Sequence, residues 1–141
     1  MLYAIFCYNS EQVVGAWSAE KDKEVMAHHS AVERNLAEVG KVGPVVRLMP
    51  TTTATTVRAG REPSVVDGPF AETKEQLLGF YVVDCATLEE VIDIAGQLAH
   101  EPGAMEIRPI MHFSDLSKGA KAATGNAQAS ERTEPSAATR K

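Results

Sequence analysis

Four histidines, two cysteines and three arginines on apolar, strand-like segments are the side chains best suited to chemistry on a small molecule. An imidazole changes charge near neutral pH, so each histidine is a candidate acid or base. His29 falls in phase with Val25, Val32 and Leu36, on the apolar stripe of a helix. A ring placed there needs a backbone carbonyl to satisfy it or a pocket into which it opens, and both readings fit. His28 lies one position round, on the flank of the stripe, and is the alternative to His29. Adjacent histidines do not form the i, i+4 pair of a helical metal site. His100 ends a second helix, where a cation suits the dipole, and His112 faces solvent. The chain has no CxxC, no HExxH and no triad of ligand carboxylates, so no metal site is expected.

Asp67-Gly68-Pro69-Phe70 is the densest constellation. An Asp before Gly-Pro forms turns by accepting from nearby amides, and Phe70 would anchor that turn in the core. Arg47, Arg58 and Arg108 lie on strand-like segments, where a guanidinium binds a carboxylate ligand or pairs with an acid such as Glu106. Glu72, Lys74 and Glu75 read as a solvated patch. Cys7 and Cys85 end two strands that are expected to be parallel neighbours with their sulfurs close, or else are two buried thiols. Gly40-Lys41-Val42-Gly43-Pro44 lacks the spacing of a phosphate loop, and there is no nucleophile elbow. No cofactor is expected.

The elements that must position these residues follow from periodicity. Residues 2–8 (LYAIFCY) are apolar on both faces and predict a buried strand. Ser18 predicts an N-cap, and Val25, His29, Val32, Leu36 and Val39 predict one face of a helix closed by Gly40. Residues 45–49 predict a strand stopped at Pro50. Thr51–Arg58 and Pro63–Asp67 predict a hairpin about residues 59–61. Residues 77–83 are a third two-faced strand. Thr87-Leu88-Glu89-Glu90 is a capping box opening a helix that buries Leu88, Val91, Ala95, Leu98 and Ala99, and Ala104–Phe113 is the last strand. The order β-α-β-(hairpin)-β-α-β predicts an α+β fold: a ferredoxin-like split βαβ antiparallel sheet with two helices on one face. Two helices cover only one face of strands that are apolar on both, so a homodimer with facing sheets is expected.

Composition sets the outer limits. The chain has 141 residues, 14 Lys+Arg against 19 Asp+Glu, and a pI of about 5.4. From Lys118 onward five basic residues face two acids and no large apolar side chain occurs, which leaves nine basic against 17 acidic residues in 1–117. Residues 1–113 are therefore expected to be the folded domain, and 114–141 a disordered basic tail. An acidic body argues against nucleic-acid binding, because neutralising phosphates needs clustered Lys/Arg. No leader signature and no run of membrane-spanning length is found, so a cytoplasmic protein is expected.

The string Val66-Asp67-Gly68-Pro69-Phe70-Ala71-Glu72-Thr73-Lys74-Glu75-Gln76-Leu77-Leu78-Gly79-Phe80-Tyr81-Val82-Val83-Asp84 resembles the DGPF-type branch of the YCII-related family. MLYAIF at the start, Thr55-Thr56-Val57-Arg58, and Glu106-Ile107-Arg108-Pro109-Ile110 agree with it. The resemblance implies a dimeric α+β barrel, a fold shared with muconolactone isomerases and small monooxygenases. The wider family centres a site on a His–Asp pair and includes a dehydrochlorinase acting on a chlorinated hydroxyquinol; DGPF members accompany extracytoplasmic-function sigma factors. Carried over, His29 matches the helix histidine and Asp67 the motif Asp. The resulting expectation is a cofactor-independent lyase or isomerase with His29 as base, oriented by Asp67. Arg58 or Arg108 would hold an anionic group, and Phe70 and Tyr81 would line the pocket. The rival expectation is a ligand-binding or regulatory module without catalysis.

Overall fold

The structure is a computed structural model that describes residues 1–117; the expected basic tail lies almost wholly outside the described residues. The chain folds as two units, Met1–Ile110 and a second that begins at Met111. In the second unit, Ser117 N donates to Asp115 Oδ1 at 3.1 Å.

In the first unit β1 (Leu2–Asn9), β2 (Val42–Arg47), β5 (Gln76–Asp84) and β6 (Ala104–Pro109) form one sheet in the order β2-β5-β1-β6. Every neighbouring pair is antiparallel. β1 and β2 are thus parallel to each other with β5 between them, as are β5 and β6 about β1, which is the split βαβ topology. The crossovers are α2 (Ala19–Glu38) and α3 (Leu88–Leu98). β3 (Thr55–Arg58) and β4 (Ser64–Asp67) pair only with each other, as the expected hairpin.

The core lies between the helices and one face of the sheet. Alternate residues of β1 and β5, Tyr3, Ile5, Tyr81 and Val83, meet Val32 and Leu36 of α2 and Val91, Ile94, Ala95 and Leu98 of α3. The opposite face carries Phe6 and Phe80, with ring centroids 6.4 Å apart. Both helix starts are capped as the sequence indicates: Ser18 Oγ accepts from Lys21 N at 3.1 Å, and Thr87 Oγ1 from Glu90 N at 3.3 Å. The Glu90 carboxylate bonds Ala86 N and Lys41 Nζ, one residue ahead of a reciprocal box.

Several expectations need correction. Cys7 and Cys85 are not side by side: β1 and β5 are antiparallel, Cys7 faces Gly79, and Cys85 N bonds Met1 O at the other end. Both thiols are free. Val39 and Leu88 are 64% and 48% exposed, because each sits at a helix end where the stripe has run past the sheet, while Ile94 enters the core. β2 starts at Val42 and ends before Leu48 and Met49; an irregularity between Val42 and Val45 absorbs Pro44, which has no N–H for the ladder. β6 stops at Pro109, leaving Met111 fully exposed. A short helix, α1 (Glu11–Gly15), precedes α2 and is too brief to show a periodicity.

Candidate active site

Where the C-terminal end of α3 meets α2, three histidines converge. Ring centroids of His28 and His29 are 6.3 Å apart, His28 and His100 6.4 Å, and His29 and His100 5.0 Å. His28 Nε2 donates to Gln97 O at 2.7 Å. His29 Nε2 lies 3.3 Å from Leu98 O and 2.9 Å from His100 Nε2. Both carbonyls belong to the last turn of α3, where helix geometry leaves C=O groups without partners. A carbonyl can only accept, so the arrangement assigns the proton of His29 to Nε2, shared between Leu98 O and the lone pair of His100 Nε2. His29 Nδ1 is then the basic nitrogen, and among the described residues no group bonds to it.

His100 is held by the backbone beneath it. Asn9, buried at the end of β1, donates from Nδ2 to His100 O at 3.1 Å and accepts from Ser10 N at 2.8 Å. A side chain at Gly103 would run into Tyr8 O and the Asn9 amide, so the turn after α3 closes tightly on β1. The Trp17 indole meets the His100 ring edge-on at 6.0 Å.

His29 and His100 form part of the wall of a cavity of about 90 Å³ between α2 and the sheet, with Cys7, Tyr81, Leu78 and Arg47. Leu78 is the extra residue where the β1–β5 register shifts between Cys7 and Tyr8, and this bulge turns it into the cavity. Burial lowers the proton affinity of His29, and His100 adds to the effect; the Leu98 carbonyl opposes it. Burial likewise lowers His100, followed by the charges of His28 and Lys21. Both shifts favour the neutral form of the ring. Burial pushes the Cys7 thiol up to about 11 and moves the Tyr81 hydroxyl, which donates to Glu33 Oε1 at 3.3 Å, well above its ordinary value. Neither is a nucleophile at neutral pH.

Of the residues singled out by sequence, the structure brings His29, His100, Tyr81, Arg47 and Cys7 together on this wall, with His28 alongside on the exposed flank. Asp67 does not line the cavity and makes no hydrogen bond to His29: it pairs with Thr55 at the base of the hairpin, in a sheet of its own. Arg58 stacks over Phe70 at 5.2 Å on that hairpin, and Phe70 is 72% exposed rather than anchored in the core. Arg108 lies on β6, paired with Glu106 at 2.9 Å and 5.7 Å over the Phe6 ring on the helix-free face. His100, read from sequence as a cation suited to a helix end, is instead part of the cavity wall with a lowered proton affinity, and Trp17 and Asn9 escaped sequence reasoning. The only signal for this grouping was that His100 ends α3 just ahead of the Pro102-Gly103 stop that folds it back on β1. Among the described residues, no group of three or more His, Cys, Asp or Glu side chains is placed to hold a metal ion, and no helix is long and apolar enough to cross a membrane.

The family model for the YCII-related domain matches residues 1–114. The chain is 55% identical over 114 residues to an uncharacterised protein of Rhizobium meliloti (strain 1021), an alignment covering 78% of this chain and 92% of that relative. The matched span contains all four sheet strands, both crossover helices, the hairpin and the histidine-lined cavity, and on that footing the chain belongs to the YCII-related family.

Proposed function

We propose that the cleft is the active site of a proton-transfer enzyme of the lyase or isomerase type, belonging to the DGPF branch and acting on a small organic molecule. The observation that carries this reading is the 2.9 Å contact between His29 Nε2 and His100 Nε2 on a cavity wall. In this reading His29 Nδ1 removes a proton from a substrate carbon, and the electron pair stays on the substrate. That pair then expels a leaving group or takes up a proton at a neighbouring atom. As Nδ1 gains its proton, the Nε2 proton is shared with His100, spreading the cation over two rings beside the negative end of α3. His100 takes the orienting part that the resemblance gives to Asp67. The helix-free face, with Phe6 and Phe80, packs against a second copy; strands apolar on both faces support this.

The test is deuterium exchange and turnover, followed by NMR, over a panel of small lactones, enones and hydroxy acids. A positioned base contributes about 10²–10⁴-fold, so His29→Gln is expected to lose at least ~10²-fold. Equal rates for wild type and His29→Gln would refute the reading.

A second reading, a non-catalytic module linked to transcription through a sigma factor, is supported by exposed Val65, Val66 and Phe70 around the Asp67-Gly68 turn. It predicts capture of a sigma factor that survives both His29→Ala and Asp67→Asn.

A further inference from the structure

Arg47 is the last residue of β2, and its guanidinium stands where the histidine-lined cavity opens into an outer recess of about 500 Å³. The two spaces share Val14, Trp17, Asp22, Arg47 and Leu78, so they form one continuous cleft with a narrow inner end and a wide mouth. Among the described residues, Arg47 is the only Lys or Arg lining either space. Its resting partners are weak. Nη2 lies 3.4 Å from Asp22 Oδ1, at the long limit of a hydrogen bond, and Nη1 touches the Met26 thioether. Both come from one face of α2, a turn apart. The pair is also open to water, with side chains 60% and 45% exposed. The other acid at the mouth, Glu11, is fully engaged: its two oxygens accept from Thr51 N and Thr51 Oγ1 at 2.8 and 2.7 Å.

A guanidinium presents five donors in a planar fork matched to a carboxylate, and Asp22 occupies that fork poorly. We propose that Arg47 is the anion-binding residue of the cleft and that the ligand is a small amphipathic monocarboxylate. Its carboxylate displaces Asp22 from the guanidinium, and its apolar body lies between Trp17 and Leu78. One cation flanked by Asp22 and Glu11 favours a single negative charge over a dianion such as a phosphate monoester, since a second charge would face two carboxylates at the rim. Leu48, Met49 and Pro50 line the rest of the mouth and give an apolar body somewhere to go. The inner chamber admits only a few atoms, so the reacting end of the ligand is small.

Binding at Arg47 would also act on His29. The positive charge of Arg47 is among the causes that hold the His29 proton affinity down. A carboxylate neutralising Arg47 removes that contribution, so an anionic ligand strengthens the base it is presented to. This last coupling rests on His29 being the base; the binding role of Arg47 does not.

The experiment is a fluorine-NMR titration of the full chain with para-fluorobenzoate and, as its neutral counterpart, para-fluorobenzyl alcohol. Wild type is expected to bind the carboxylate about ten-fold or more tightly than the alcohol. Arg47→Met keeps the apolar stem and is expected to lose at least that factor for the carboxylate while binding the alcohol as before. Arg47→Lys, which keeps the charge and loses the fork, falls between the two, and Asp22→Asn tightens carboxylate binding. His29→Gln keeps the preference for the carboxylate, which separates the fate of this proposal from that of the catalytic reading. No carboxylate binding by wild type, equal affinity for the two probes, or undiminished carboxylate binding by a folded Arg47→Met chain would each overturn it.

Discussion

Replacing Asn9 by alanine tests whether the histidine pair depends on the turn beneath it. Asn9 is 6% exposed and makes two hydrogen bonds, to His100 O and from Ser10 N. A typical bond is worth about 1 kcal/mol net, and a buried group left without its partner costs about 1–3 kcal/mol. Asn9→Ala removes both bonds and leaves Ser10 N without a partner, while His100 O keeps its bond from Gly103 N at 2.8 Å, so the expected loss is about 1–3 kcal/mol. With a urea m value of about 1–3 kcal/mol/M, the unfolding midpoint should fall by about 1 M. Ser10→Ala is the control next door. It removes the exposed cap on Val13 N, should cost only about 1 kcal/mol, and leaves the His100 turn alone. The second readout is the imidazole nitrogen spectrum, in which Asn9→Ala should alter His100 and, through the shared proton, His29. A loss under about 0.5 kcal/mol, or a destabilised variant with unchanged histidine signals, would refute the reasoning that Asn9 positions the pair.

Three further outcomes follow from the same geometry. Because the folded state lowers the proton affinity of both His29 and His100, the unfolded chain takes up protons first as pH falls. Stability is full above the ordinary histidine value of about 6.5, declines below it, and levels off beneath the lowered folded values; melting temperatures from pH 8 to 5 should show this, less steeply for His29→Gln. Gly79→Ala places a methyl group against Val46 O and the Arg47 backbone, where a paired strand cannot give way, and should destabilise by about 1–3 kcal/mol or more in denaturant titration. With Cys7 held at about 11 and Cys85 buried and also raised, iodoacetamide at pH 8 should leave both thiols intact in the folded chain and modify both after denaturation, as read by mass.

The split βαβ order was legible because the signals that define it are local and repeated. Two-faced apolar strands, a 3.6-residue stripe closed by Gly40, and hydroxyl caps at Ser18 and Thr87 each constrain one element, and the crossover rule joins them. What escaped depends on registry and ends. Leu48 and Met49 look like strand residues, yet β2 ends at Arg47 and leaves them at the cleft mouth, with Leu48 N still bonded to Leu78 O. The sense of the β1–β5 pair, which separates Cys7 from Cys85, follows from topology rather than from any residue in either strand. The site was half legible. His29 was marked by an imidazole on an apolar stripe, whereas its contact His100 arrives from 71 residues away through a turn whose shape depends on Asn9 and Gly103. Asp67 and Phe70 stand out as a motif, but motif density reports a tight turn as readily as a pocket wall.

The hairpin β3–β4 has a practical consequence for anyone who engineers this scaffold. It leaves and rejoins the body at one point, where Gly68 N donates to Ala54 O at 2.7 Å, and every residue of β4 is exposed. The four-stranded sheet takes no strand from it. Residues 55–67 are therefore a cassette with its two ends already clasped: they can be exchanged for a loop of another length, or for a displayed epitope, without re-threading the fold that carries them.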